Sequence, residues 1–235
     1  DDIKLKVKSR LYRYYTKMFS SEMAGNQEVT QNSGIEDNRK SQEAVNAMSE
    51  NGSFILVDMF PDTNLLYKCV GDVENSLNEY PEIVIYGRVC KQRRCVGFFS
   101  DESVGYYYSN QRADSKPMTE SLKEILSYVN TKYNANYNGI LVNKYKSGED
   151  YISAHSDDEQ NLHKTAGVVS ISFGSTRKFR IRSKKDKKLK TDFNLVSGLM
   201  LQMGGNFQKE FTHEIPIEKR VKQERISFTF RTHSI

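Results

Sequence analysis

One stretch constrains the fold more than any other: Arg225-Ile226-Ser227-Phe228-Thr229-Phe230-Arg231. A β-strand turns successive side chains to opposite faces. Ile226, Phe228 and Phe230 therefore share one face, and Arg225, Ser227, Thr229 and Arg231 share the other. The apolar face calls for a packed layer. On a solvated sheet surface the polar face would be ordinary. Lining a pocket, it would need an anion, because buried guanidinium must be paired. A planar carboxylate satisfies it, since Arg binds that group bidentately.

A second stretch adds donors of another kind. Asn143-Lys144-Tyr145 leads through Gly148 and Asp150 to His155-Ser156-Asp157-Asp158-Glu159. On an extended chain His155 and Asp157 leave the same face. A further His213 lies in the strand-like run Glu210–Pro216. Two imidazoles and one carboxylate make a facial set that suits Fe(II), though also Mn, Co or Ni, and leaves coordination positions open. Alone, a His-x-Asp pair arises often by chance. The order His-x-Asp, then a distant His, then a strand with Arg225 and Arg231 on one face is far more specific.

These residues resemble the AlkB family of Fe(II)- and 2-oxoglutarate-dependent nucleic-acid dioxygenases. The likeness runs from about Ser53 to the C-terminus. It rests on Tyr106–Ser109, Asn143–Tyr145 with Gly148 and Asp150, His155–Glu159 and Arg225–Arg231, supported by Val168–Gly174 and Gly198–Met203. The resemblance implies that His155, Asp157 and His213 hold Fe(II). It implies that Asn143, Tyr145, Arg225, Ser227 and Arg231 hold 2-oxoglutarate. Ser227 stands where many relatives have Asn. With O2, the implied reaction is hydroxylation of an N-methyl carbon, and the product collapses to formaldehyde and free base. For substrate, the resemblance points to Tyr106 and Tyr108 around a base displaced from its stack, with His155 opposite them. Asp158 and Glu159 could accept hydrogen bonds from its exocyclic amine, or could be turn residues.

Charge bears on the partner. The 235 residues carry a net +5, but Ser175–Lys190 alone holds nine basic residues against one acid. That +8 segment leaves the rest net acidic. With the basic turn Arg88–Arg94 it is what a polyphosphate selects. Arg94, Lys178, Arg180 and Arg182 are the expected phosphate contacts. A solvated Lys-rich hairpin is the plainer alternative. Three cysteines without pairing pattern argue for a reducing, intracellular setting. No apolar run reaches the length of a membrane helix.

In chain order, Asp1 to about Ser20 has helical spacing and is basic, and Ser21–Gly52 is polar and linker-like. The expected division is a lead-in over 1–52 and one catalytic domain over 53–235. Asp62 or Thr63 caps a helix to about Tyr80, and Thr119 opens another to about Tyr133. Strands are expected at about 83–86, 96–99, 106–108, 140–146, 151–156, 167–173, 176–183, 191–195, 198–203, 209–215 and 225–231. This is a mainly β, α+β pattern, and spacing alone implies an antiparallel double sheet. The resemblance sharpens it to a double-stranded β-helix (jelly roll) with helices packed on one sheet.

The expected activity is oxidative demethylation of N-alkylated bases such as 1-methyladenine and 3-methylcytosine. The expected partner is single-stranded RNA or DNA, and the protein is expected to act as a monomer off the membrane. Two alternatives stay open: a 2-oxoglutarate oxygenase acting on protein or a small molecule, and a catalytically silent nucleic-acid-binding module.

Overall fold

The computed structural model describes residues 47–48, 52–85, 87–103, 105–108, 111–158 and 167–233. The basic helix expected over 1–20 and the lead-in to residue 46 lie outside the described residues.

Two antiparallel sheets face each other. The larger has seven strands in the order β1-β2-β13-β10-β15-β8-β5. These are β1 (Ala47–Met48), β2 (Phe54–Met59), β13 (Leu199–Gly204), β10 (Val168–Gly174), β15 (Arg225–Arg231), β8 (Gly139–Tyr145) and β5 (Cys95–Phe99). The smaller has four in the order β12-β11-β14-β9: β12 (Lys190–Leu195), β11 (Arg177–Ser183), β14 (Phe211–Ile215) and β9 (Ile152–His155). The architecture is the expected jelly roll. The expected strands from residue 140 onward fall within about two residues of those observed.

Helix α1 (Thr63–Val73) and helix α2 (Glu120–Tyr133) cover the outer face of the large sheet. Leu66, Cys69 and Val73 of α1 and Leu122, Ile125 and Val129 of α2 bury against Ile140, Val142, Ile171, Phe228 and Phe230. Both helices open on side-chain caps that satisfy an otherwise orphaned backbone N–H. Asp62 accepts from the Leu65 amide at 3.0 Å, and Thr119 accepts from the Leu122 amide at 3.2 Å. Asn134 ends α2 in the left-handed region.

Helix α1 ends well before the expected Tyr80, passing through a single 3-10 turn, Glu74–Ser76. Tertiary bonds take the chain away from the helix. The Asn78 amide donates to the Val96 carbonyl at 2.8 Å, the Asn78 carbonyl accepts from the Val96 amide at 2.9 Å, and Tyr80 sits at φ 45°. The basic run after it is also not a turn. Its first part, β4 (Arg88–Lys91), folds back on β3 (Glu82–Ile85) as a hairpin standing outside the main sheets. Val84, Ile85 and Val89 are exposed on it. A second small hairpin pairs β6 (Gly105–Tyr108) with β7 (Gln111–Asp114).

The alternation of β15 is what organises the interior. It is flanked by β10 and β8, so all seven residues are buried. The apolar face meets the helices. The polar face looks between the sheets, where the inner cluster around Phe179, Phe193, Leu201 and Met203 leaves one end open as a cleft.

Candidate functional site

The cleft encloses about 560 Å³, counting its open mouth. Its walls include Arg94, Asn143, Tyr145, His155, Asp157, Phe179, His213, Arg225, Ser227, Thr229 and Arg231. Strand register places most of these. On β8 and β15, Arg225 lies opposite Tyr145 and Ser227 opposite Asn143, which puts four polar side chains on one face. On β14 and β9, His213 lies directly opposite His155. Side chains opposed across a strand pair are natural neighbours, and the two rings are 4.3 Å apart at their centres. Asp157 follows just beyond the end of β9.

One ligand atom from each of His155, Asp157 and His213 lies within 4.8 Å of the others. The Nε2 atoms of His155 and His213 stand 3.6 and 3.7 Å from the two Asp157 oxygens. On His155 the other ring nitrogen, Nδ1, is 2.9 Å from the Ser153 carbonyl oxygen. Nδ1 is therefore the protonated donor, and the Nε2 lone pair is left for a metal. Burial lowers the pKa of His155, and burial followed by the neighbouring His155 lowers that of His213 to about 3. Burial pushes the Asp157 carboxyl up, but Arg231 and then the imidazoles outweigh it and hold it at about 2. All three groups are thus in their ligating forms at neutral pH. The donor set fits Fe(II).

These shifts make a prediction. Protons do not compete for His213, held at about 3, and burial weakens their competition for His155. Mn(II), a redox-silent stand-in, should bind with nearly the same affinity at pH 6 and pH 7.5 by calorimetry. Two ordinary histidines with pKa about 6.5 would lose roughly tenfold over that range. A tenfold loss would contradict the shifts.

Beside the triad lie two buried guanidiniums, those of Arg225 and Arg231. Arg225 is 2% exposed. Its Nη2 donates to Ser172 Oγ at 2.8 Å, and its guanidinium carbon lies 5.3 Å from the centre of the Tyr145 ring. Burial lowers its pKa to about 10, so it stays cationic. Its Nε and Nη1 are buried without a hydrogen-bond partner. Buried donors of this kind are rare and costly, and a carboxylate in the cleft would satisfy both. Arg231 differs: its Nη2 donates to Asp157 Oδ1 at 2.6 Å. It therefore ties the arginine pair to the His-Asp-His cluster, a link the sequence did not announce. Asn143, Ser227 and Thr229 add hydrogen-bonding groups to the same wall.

The surface residues fall out differently. Arg94, expected to meet phosphate at an exposed turn, is 4% exposed and lines the cleft. Arg180 and Arg182 do face outward, as parity requires, but are paired across the sheet. Arg180 bonds Asp192 through two nitrogens at 2.7 and 2.8 Å, and Arg182 bonds Glu214 at 2.8 Å. Lys178 stands 3.9 Å from Glu218. Asp158 does not line the cleft; it is exposed and 3.6 Å from Lys184. The backbones of Tyr106 and Tyr108 lie on β6, while their side chains and all of Glu159 lie outside the described residues. Basic side chains still exposed include Lys185, Lys187, Lys188 and Lys190 at the β11–β12 turn and Arg88, Lys91 and Arg93 near the first hairpin.

Two positioning residues escaped the sequence. Gln208, on the short helix α3 (Phe207–Glu210), accepts from the Asp157 amide at 2.9 Å through Oε1. Ser172 receives Arg225. Gln208 carries no pattern that separates it from a surface glutamine. Ser172 was legible only as an inward residue of β10.

A His155, Asp157 and His213 cluster that fits Fe(II) lies beside two buried arginines, between the sheets of a jelly roll, and that is the donor set used by Fe(II)- and 2-oxoglutarate-dependent oxygenases. A family model described as the 2OG-Fe(II) oxygenase superfamily matches residues 58–231, and the chain belongs to that superfamily, as an AlkB-type member. Among curated relatives, DNA oxidative demethylase ALKBH2 of Homo sapiens is 28% identical over 168 residues, which is 68% of this chain and 64% of that protein. The ALKBH2 of Arabidopsis thaliana is 30% identical over 177 residues, covering 64% and 56%. Human alpha-ketoglutarate-dependent dioxygenase alkB homolog 3 is 29% identical over 136 residues, covering 54% and 48%. The chain thus spans roughly half to two-thirds of the length of these three relatives. The structure of OsALKBH1 superposes with a TM-score of 0.53 at 18% identity, over 76% of this chain and 97% of that one, and shows the shared fold.

Proposed function

We propose that the protein oxidatively demethylates N-alkylated bases, such as 1-methyladenine and 3-methylcytosine, in single-stranded RNA or DNA. Fe(II) bound by His155, Asp157 and His213, with 2-oxoglutarate and O2, would supply the power to hydroxylate a methyl C–H bond, one oxygen atom entering the product and the other the succinate left when 2-oxoglutarate loses CO2. The hydroxymethyl product then releases formaldehyde and the free base. The observation that carries the reading is the pair of unsatisfied Arg225 donors beside the triad, in a cleft that opens to solvent. Arg225, backed by Ser172 and Tyr145, would bind one carboxylate of the co-substrate. Asn143, Ser227 and Arg231 would orient the remainder. The chemistry of the named relatives supports a nucleic-acid substrate.

The exposed basic surface supports a polyphosphate partner. The hairpin β3–β4 presents exposed Val84, Ile85 and Val89 with Arg88 and Lys91, and the β11–β12 turn presents four lysines. Such a surface binds phosphates without reading sequence. Fluorescence anisotropy should show affinity for a single strand falling with salt, with a logarithmic slope of about −2 to −3 for three or four phosphates. Replacing Lys185, Lys187, Lys188 and Lys190 with alanine should flatten that slope. One observation favours an oxygenase acting on protein or a small molecule: Arg180 and Arg182 are neutralised by Asp192 and Glu214. An affinity unaffected by salt would bring that reading forward.

A further inference from the structure

The most informative group in the cleft without an assigned role is Arg94. It immediately precedes β5, is buried, and stands in the cleft wall with Asn143 and His155. Its Nε donates to Asn143 Oδ1 at 2.8 Å, in a bond shielded at both ends. A guanidinium has only donors, so the Asn143 atom facing it has to be the carbonyl oxygen. The amide plane is fixed by that bond, and Nδ2 is turned to the side away from Arg94. Asn143 is itself 6% exposed and sits opposite Ser227, two residues along the same face from the Arg225–Tyr145 pair. An amide unable to flip offers an anion two N–H donors. One free to flip offers it a carbonyl oxygen part of the time, and that repels a carboxylate.

We propose that Arg94 is a positioning residue that acts through Asn143: it locks the amide so that Nδ2 donates to the oxygens of the co-substrate. The proposal rests on the reading of this cleft as the 2-oxoglutarate site. Arg94 then has nothing to do with phosphate at the surface. Its charge is used one layer behind the co-substrate, where a neutral donor would hold Asn143 less firmly.

A double-mutant cycle tests it. The full chain, loaded with Mn(II), is titrated calorimetrically with 2-oxoglutarate as Arg94→Met, Asn143→Ala, the double variant and Arg94→Lys. Arg94→Met and Asn143→Ala should each weaken 2-oxoglutarate about tenfold, the size expected for one hydrogen bond to a charged group. The double variant should be no more than about twofold worse than Asn143→Ala. Arg94→Lys, which keeps a cationic donor, should recover part of the loss and also serves if Arg94→Met fails to fold. Mn(II) affinity should hold throughout, which a general loosening of the cleft would not allow. Additive losses, near a hundredfold in the double variant, would overturn the proposal, as would unchanged binding in both Arg94 variants. Arg225→Met in parallel separates the two layers. If it abolishes 2-oxoglutarate binding while Asn143→Ala does not weaken it, only the Arg94 proposal falls. If Arg225→Met also binds normally, the assignment of the cleft falls with it.

Discussion

Replacing Asp157 with asparagine is expected to abolish turnover and to destabilise the protein at the same time. Asp157 is 5% exposed and serves two cationic partners. It is the only carboxylate in the metal cluster, and it accepts the 2.6 Å bond from Arg231. Asparagine keeps the shape and loses the charge. The metal loses its anionic ligand. Loss of outer-shell partners alone typically costs ten- to a hundredfold, so loss of the ligand should leave less than about one hundredth of the activity. Arg231, 3% exposed, loses its counter-ion. Breaking a buried pair from one side costs about 3–5 kcal/mol, which urea denaturation would detect as an earlier midpoint. Retained turnover would remove Asp157 from the metal site. An unchanged midpoint would mean that another group neutralises Arg231.

Arg225→Met should separate stability from function. Removing Arg225 removes two buried donors without partners and a cation whose ionisation burial already opposes. Methionine can lie on the Tyr145 face, where sulfur packs well. Without co-substrate, the variant should therefore be more stable by about 1–3 kcal/mol, the usual cost of leaving a buried polar group unsatisfied. Its affinity for 2-oxoglutarate should fall roughly a hundredfold or more, as when one side of a buried charge pair is truncated. Thermal unfolding with and without 2-oxoglutarate reads both effects together. The wild type should gain stability from the ligand and the variant should not. A less stable variant would mean that the Ser172 and Tyr145 contacts outweigh the unsatisfied donors. Unchanged affinity would place Arg225 outside the pocket.

Much of this site was legible because β15 is central. A strand with helices on one side and a cleft on the other buries both faces, so its alternation of Phe and Arg is undiluted by surface variation. The spacing of His155 and Asp157 showed that they could meet. That His213 joins them depends on the β14–β9 register, which only the fold supplies. Charge was the least legible property. Composition counts Arg94, Arg180 and Arg182 as basic surface, yet Arg94 lines the cleft and the others meet Asp192 and Glu214 on the two strands flanking β11. The end of α1 was hidden for a related reason. No Gly or Pro follows Val73 to stop it there, Gly71 lies inside the helix, and the pull comes from the bonds between Asn78 and Val96.

The most direct test of the central claim is mass spectrometry of short single strands carrying 1-methyladenine or 3-methylcytosine, as DNA and as RNA. Each is incubated with the protein, Fe(II) and ascorbate, with and without 2-oxoglutarate. The account predicts loss of the methyl mass only when 2-oxoglutarate is present, and not with Asp157→Asn. Steady release of succinate with every strand left intact would contradict it, and would assign this iron centre to a substrate other than methylated nucleic acid.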